Sequence, residues 1–220
     1  MRNLAGILIS YLFIGLIIVA AKFFEKSGKE ASRKFIHIML CNWWFIAMYF
    51  FDNVIWAAFV PFTFVIINYL SYKRDIIKVM EREKDEQDGL GTVYYAISLL
   101  VLSIVTFGIY HNQEAGLVSI LIMGYGDGLA AIIGKTLKSY EYKIGDTKKT
   151  LAGSATMLIV TFLILSVFFV YMGISFWYLK AILAAIVLTV VEAISIKGTD
   201  NITVPIVAFG IVSVVLKFLV

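Results

Sequence analysis

Apolar residues run through this chain in long blocks, separated by short polar stretches. A helix rises 1.5 Å per residue, so about 20 apolar residues cross the hydrocarbon core of a bilayer. Eight blocks approach that length: Leu4 to Ala21, Phe35 to Phe51, Val54 to Leu70, Val93 to Tyr110, Gly116 to Gly134, Leu151 to Tyr171, Ser175 to Ser195 and Val204 to Val220. The pattern predicts an all-α polytopic membrane protein of about eight spans, built as one domain over residues 1–220. Asp52-Asn53 predicts a tight turn after the second span, and Thr92 an N-cap for the fourth. The first span reads as an uncleaved anchor, because Ala20-Ala21 runs straight into Lys22-Phe23-Phe24. The fifth span is broken by Gly124, Gly126 and Gly128, with Asp127 among them.

Composition agrees with the pattern: 61% of the residues are hydrophobic and 15% charged, which excludes an ordinary soluble domain. The longest polar interval, Ser71 to Gly91, leaves no room for a second, water-soluble domain. Within it, Asp75 to Met80 predicts a short interfacial helix, and Glu81 to Asp88 a solvated helical extension. Cys41 is the only cysteine, so neither an internal disulfide nor a thiolate metal cluster can form.

The net charge of +4 does not indicate nucleic acid, because basic residues collect in the cytoplasmic loops of membrane proteins. With the N-terminus outside, every Lys and Arg falls on inner loops except Arg2, Lys180 and Lys217. That asymmetry predicts the orientation, and it turns the polar loops with chemical potential toward the cytoplasm and its nucleotides.

A carboxylate inside an apolar span is costly, and Asp127 therefore needs a reason. Beyond it lies a loop, Lys135 to Thr150, carrying Lys135, Lys138, Lys143, Lys148 and Lys149. An acid beside ammonium groups is what a metal ion and a polyphosphate require, so the stretch predicts the site of a membrane-embedded phosphotransferase. Asp127 is the candidate magnesium ligand, with Gly126 and Gly128 letting the ion or a phosphate approach the backbone. Lys148 and Lys149 stand just before Gly153 and Ser154, at the start of a helix whose N–H groups favour anions. Lys135 is a further phosphate contact. Glu192 in the seventh span and Asp200 before the eighth could join Asp127 around a metal or serve as general base, with Asn201 beside them. Asp200 as a simple N-cap and the lysines as simple inner-face anchors remain open. Arg33, Lys34 and His37 gather on one face at the mouth of the second span, as phosphate contacts or as packed residues.

Two motifs fail on inspection. Gly128 to Thr136 has five residues between its glycines where a P-loop needs four, and no strand precedes it. Gly124-Tyr-Gly-Asp-Gly lies inside an apolar span, unlike a dinucleotide fingerprint.

Several blocks together resemble the CTP-dependent lipid kinase family of phytol kinase, dolichol kinase and fungal-type diacylglycerol kinase. They are Arg33-Lys34-Phe-Ile-His37, Gly91-Thr92-Val-Tyr-Tyr95, Gly126-Asp127 through Gly134-Lys135, Lys148-Lys149-Thr-Leu-Ala-Gly153-Ser154, and Glu192 with Asp200-Asn201-Ile-Thr-Val-Pro205. The resemblance implies transfer of the terminal phosphate of CTP, with Mg2+, to the hydroxyl of a membrane lipid. Compact size is most similar to the kinases of phytol or related isoprenoid alcohols. Asp127 and Asp200 would hold the metal. A diacylglycerol kinase is the nearest alternative. The central block is also similar to phosphatidate cytidylyltransferase, but Asp200-Asn201-Ile-Thr-Val-Pro205 departs from that family's Asp-Arg-x-x-Asp ending. A small transporter, of a different class, would also place acids within broken spans.

Overall fold

The computed structural model describes residues 1–24, 28–74, 90–144, 147–196 and 198–217. Asp75 to Met80 and the run from Glu81 to Asp88 lie outside the described residues, as does Lys197. The chain forms two compact units, Met1–Leu117 and Val118–Val220. Seven helices among the described residues are long and apolar enough to cross a membrane. It is an all-α, multi-pass integral membrane protein.

The first unit begins with α1 (Arg2–Phe24), α2 (Lys29–Leu40), α3 (Trp43–Phe50) and α4 (Val54–Arg74). The expected second span, Phe35 to Phe51, is thus two shorter helices, neither of them among the seven long ones. Asn42 accounts for the division. Its side-chain amide donates to the carbonyls of Ile38 and Met39, and such local bonds compete with helix propagation. The Trp44 and Phe45 amides then reach back only three residues, to Cys41 and Asn42. Asn53 makes the predicted turn, its side-chain oxygen accepting from the Ile55 and Trp56 amides.

Helix α5 (Gly91–Ile104) packs on α4 and ends in a π-helical turn, Val105–Ile109. It starts one residue before the expected cap: Leu90 is the N-cap, and Thr92 sits inside the first turn with its carbonyl accepting from Asn68. Buried Trp43 and Trp44 fill the centre of the unit, their indole N–H groups donating to Ser10 and to the Gln113 carbonyl.

The expected fifth span, Gly116 to Gly134, is helical throughout. It comprises α6 (Gln113–Leu121), a π-helical turn over Ile122–Asp127, and α7 (Gly128–Thr136). The predicted interruption is therefore a widened turn, a local device often found at functional positions. The polar loop that follows folds into a two-stranded antiparallel hairpin, β1 (Glu141–Ile144) and β2 (Thr147–Thr150), that sequence periodicity did not reveal. Helices α8 (Leu151–Tyr171), α9 (Trp177–Ile194) and α10 (Asp200–Lys217) complete the second unit. Helix α8 packs on α9, α9 on α10, and both α8 and α10 on the π-helical turn, so Asp127 is enclosed by its own unit.

Candidate active site

Glycine spacing brings the elements of the second unit close together. A Cβ on Gly134 would stand 2.5 Å from Thr150 Oγ1, and one on Gly153 would stand 3.0 Å from the Ala130 carbonyl oxygen. A side chain at Gly134 would have to displace the Thr150 hydroxyl or move α7 from α8, and one at Gly153 would press on the α7 backbone. A Cβ on Gly126 would meet Met157 Sδ at 2.7 Å. Gly126 thus lets α8 pack closely on the π-helical turn.

The start of α8 also differs from expectation. Its first N–H groups are already spent: Leu151 donates to the Tyr140 carbonyl, Ala152 to Ser139 Oγ and Gly153 to Thr150 Oγ1. Ser154 Oγ is hydrogen-bonded to the Tyr142 hydroxyl. The predicted anion cradle at Gly153 and Ser154 is therefore closed by the hairpin that packs over it. Thr150 is the N-cap, and the hairpin is held in place by the bonds that close the cradle.

Strand alternation then separates the two lysines. Lys148 lies opposite Lys143 and points outward, exposed. Lys149 lies opposite Tyr142 and is turned inward, its side chain 18% exposed. Lys135, at the end of α7, and Lys138 are exposed.

Lys149 reaches an acidic cluster. Carboxylate oxygens of Asp127, Glu192 and Asp200 all lie within 4.8 Å of one another. Asp127 comes from the end of the π-helical turn, Glu192 from the last turns of α9, and Asp200 from the first residue of α10. The connection between α9 and α10 sets the last two. Ser195 Oγ and Thr203 Oγ1 are 2.6 Å apart, Thr199 Oγ1 donates to the Ile196 carbonyl, and Asn201 Nδ2 donates to the Gly198 carbonyl. Asn201 thus helps to close this turn, and its backbone N–H donates to Asp200 Oδ1.

Burial makes the cluster expensive. Asp127 is 6% and Glu192 4% exposed. At an effective dielectric of 20, two full charges 4.8 Å apart repel by about 3.5 kcal/mol. Lys149 offsets this by donating to Glu192 Oε1 and standing 3.9 Å from Asp200 Oδ2. Burial alone would pull its ammonium down; the charges of Glu192, Asp200 and Asp127, with the hydrogen bond to Glu192, outweigh it and leave the pKa raised. Lys149 is therefore charged throughout the physiological range. Three carboxylates and one ammonium carry a formal charge of −2, which one divalent cation balances.

The donor set suits a hard cation. All ligands are carboxylate oxygens, the preference of Mg2+. Oxygens on one octahedral Mg2+ stand about 3 Å apart when adjacent and about 4 Å when opposite, so carboxylates within 4.8 Å of one another would have to draw closer to share one ion.

Arg33, Lys34 and His37 belong to the first unit, and Asp127, Glu192 and Asp200 to the second. The Arg33 guanidinium is engaged by Glu30, with Nε at 3.1 Å from Oε2 and Nη2 at 2.6 Å from Oε1. Lys34 is buried. The His37 ring packs edge-on against Tyr95 at 4.9 Å between centroids, and the Tyr95 hydroxyl donates to the His37 carbonyl. The Arg33–His37 and Gly91–Tyr95 blocks therefore pack together.

The chain is 30% identical to the phytol kinase of Synechocystis over 207 residues, covering 88% of this chain and 84% of that one. It is also 30% identical to phytol kinase 1 of Arabidopsis thaliana over 197 residues, 80% of this chain and 64% of the plant protein. An uncharacterized protein of Methanocaldococcus jannaschii is 34% identical over 144 residues, covering 64% of this chain and 66% of its own. The chain spans just under two thirds of the plant relatives' length, against most of the cyanobacterial one. No family profile and no solved structure matches it.

Proposed function

The chain belongs to the phytol kinase family, and from that premise we propose that it transfers the terminal phosphate of CTP to the hydroxyl of an isoprenoid alcohol in the bilayer. The observation that carries the reading is the meeting of Asp127, Glu192 and Asp200 around the Lys149 ammonium, inside a unit otherwise built for lipid. Phosphoryl transfer asks for positioning and charge neutralisation more than for covalent chemistry, and this cluster offers both.

Asp127 and Asp200 would hold Mg2+. When bound, the ion would supply neutralisation of phosphate charge and orientation of the transferred group. Lys149 donates to the phosphate oxygens, and the exposed Lys148 and Lys135 draw the nucleotide toward the membrane surface. The alcohol oxygen attacks the terminal phosphorus, the bond to the bridging oxygen breaks, and CDP leaves. Glu192 or Asp200 accepts the alcohol's proton. The lysine-rich loops support a cytoplasmic orientation of the site, the side where nucleotides are found.

The test is the purified full chain in lipid nanodiscs with labelled CTP or ATP and a panel of phytol, geranylgeraniol, a polyprenol and diacylglycerol. A phosphorylated isoprenoid made from CTP is expected. Phosphatidate would shift the assignment to a diacylglycerol kinase, and a CDP-lipid to a cytidylyltransferase. No product from any pair would defeat the kinase reading and return the transporter.

A further inference from the structure

Two buried carboxylates, Asp127 and Glu192, and the partly buried Asp200 lie within 4.8 Å of one another, and the Lys149 ammonium stands against them. Its ammonium bonds Glu192, stands 3.9 Å from Asp200 and feels the charge of Asp127. The same group is also the lysine that β2 turns inward, while Lys148 is turned away. The first amides of α8 are committed to Tyr140, Ser139 and Thr150, so an anion entering the cluster must be met by side chains.

We propose that Lys149 is the resident cation of this site and a positioning residue with two states. Without a divalent ion it holds Asp127, Glu192 and Asp200 in register. When the ion enters, the ammonium yields those oxygens and turns to the phosphate that accompanies the ion. No bond is made or broken in the exchange. The proposal rests on the reading of the cluster as a kinase's metal site. It adds that ammonium and metal compete for the same oxygens, while ammonium and nucleotide cooperate.

Opposite signs follow for one substitution. Lys149→Met removes the competitor, so Mn2+ alone, read by electron paramagnetic resonance on the full chain in zwitterionic nanodiscs, should bind roughly tenfold tighter. Mn2+ with CTP should bind that variant more weakly than wild type, by a similar factor. In EDTA the variant should melt at a lower temperature, because its carboxylates have lost their counter-ion. The double variant Lys149→Met/Glu192→Gln again carries the wild-type formal charge and should recover most of the lost Tm. A lysine that merely fills space would not be rescued in that way.

Unchanged Mn2+ affinity in Lys149→Met, with wild type binding the ion, overturns the Lys149 proposal alone. Failure of wild type to bind Mn2+ overturns the metal reading and this proposal with it. Should Lys149→Met fail to fold, the double variant decides: a folded protein supports the charge argument, and an unfolded one overturns it.

Discussion

The two units each hold a constellation of charge, and the contrast between them is instructive. In the first, Arg33 pairs with Glu30 three residues away on the same helix, half-open to solvent at 15% and 31% side-chain exposure. In the second, Lys149 pairs with Glu192 across 43 residues, at 18% and 5%, with Asp127 and Asp200 drawn into the same space. Neighbouring charges on a helix find each other without help from the fold and give modest local support. Charges brought together from the hairpin, a widened turn and two helix ends meet at a desolvation cost, which local stability does not explain. The proposed function rests on the second kind.

The largest test of the contrast is Asp127→Asn. It should lower turnover on the order of 10³-fold, the scale expected when a group facing transition-state charge is removed. Membrane insertion and Tm in EDTA should be retained, since removing one of three clustered carboxylates also relieves repulsion. Turnover near the wild-type value would remove Asp127 from the mechanism and make its cluster structural.

Next is Gly134→Ala. The new Cβ would stand 2.5 Å from Thr150 Oγ1, so Thr150 must give up its cap on α8 or α7 must retreat from Gly153. Overpacking of this kind costs about 1–3 kcal/mol. Because Thr150 is next to Lys149, turnover should fall with stability. Gly126→Ala should cost less, roughly 1 kcal/mol, because the atom it meets belongs to the flexible Met157 side chain. Equal losses of Tm in both would show that flexibility of the opposing side chain does not set the cost.

Asp127, Glu192 and Asp200 were legible in the sequence because a carboxylate in or beside an apolar span is conspicuous. That the three could meet was legible as well; the bonds that close the connection between Glu192 and Asp200, made by Ser195, Thr199 and Thr203, were not. The two lysines could not be told apart either. Their difference depends on a period-2 alternation in Glu141–Ile144 and Thr147–Thr150, strands of four residues each, too short to stand out against a lysine-rich background. Most spans were visible from apolar length alone. The division at Asn42 was hidden, because its amide breaks the helix through two backbone carbonyls without interrupting the apolar run.

Glu30→Gln provides the smallest and most discriminating effect. The Glu30–Arg33 pair is bidentate and lies near the start of α2, so both its geometry and the helix dipole favour the acid. Partial exposure and salt nevertheless limit such a pair to about 0–1 kcal/mol. Unfolding of Glu30→Gln in nanodiscs should therefore lie within about 1 kcal/mol of wild type at low salt, and the difference should shrink further at 1 M salt, where the screening length falls to about 3 Å. A much larger loss that salt leaves untouched would mean that Arg33 supports more than its own helix turn. The first unit's charges would then belong, like those around Lys149, among the long-range interactions.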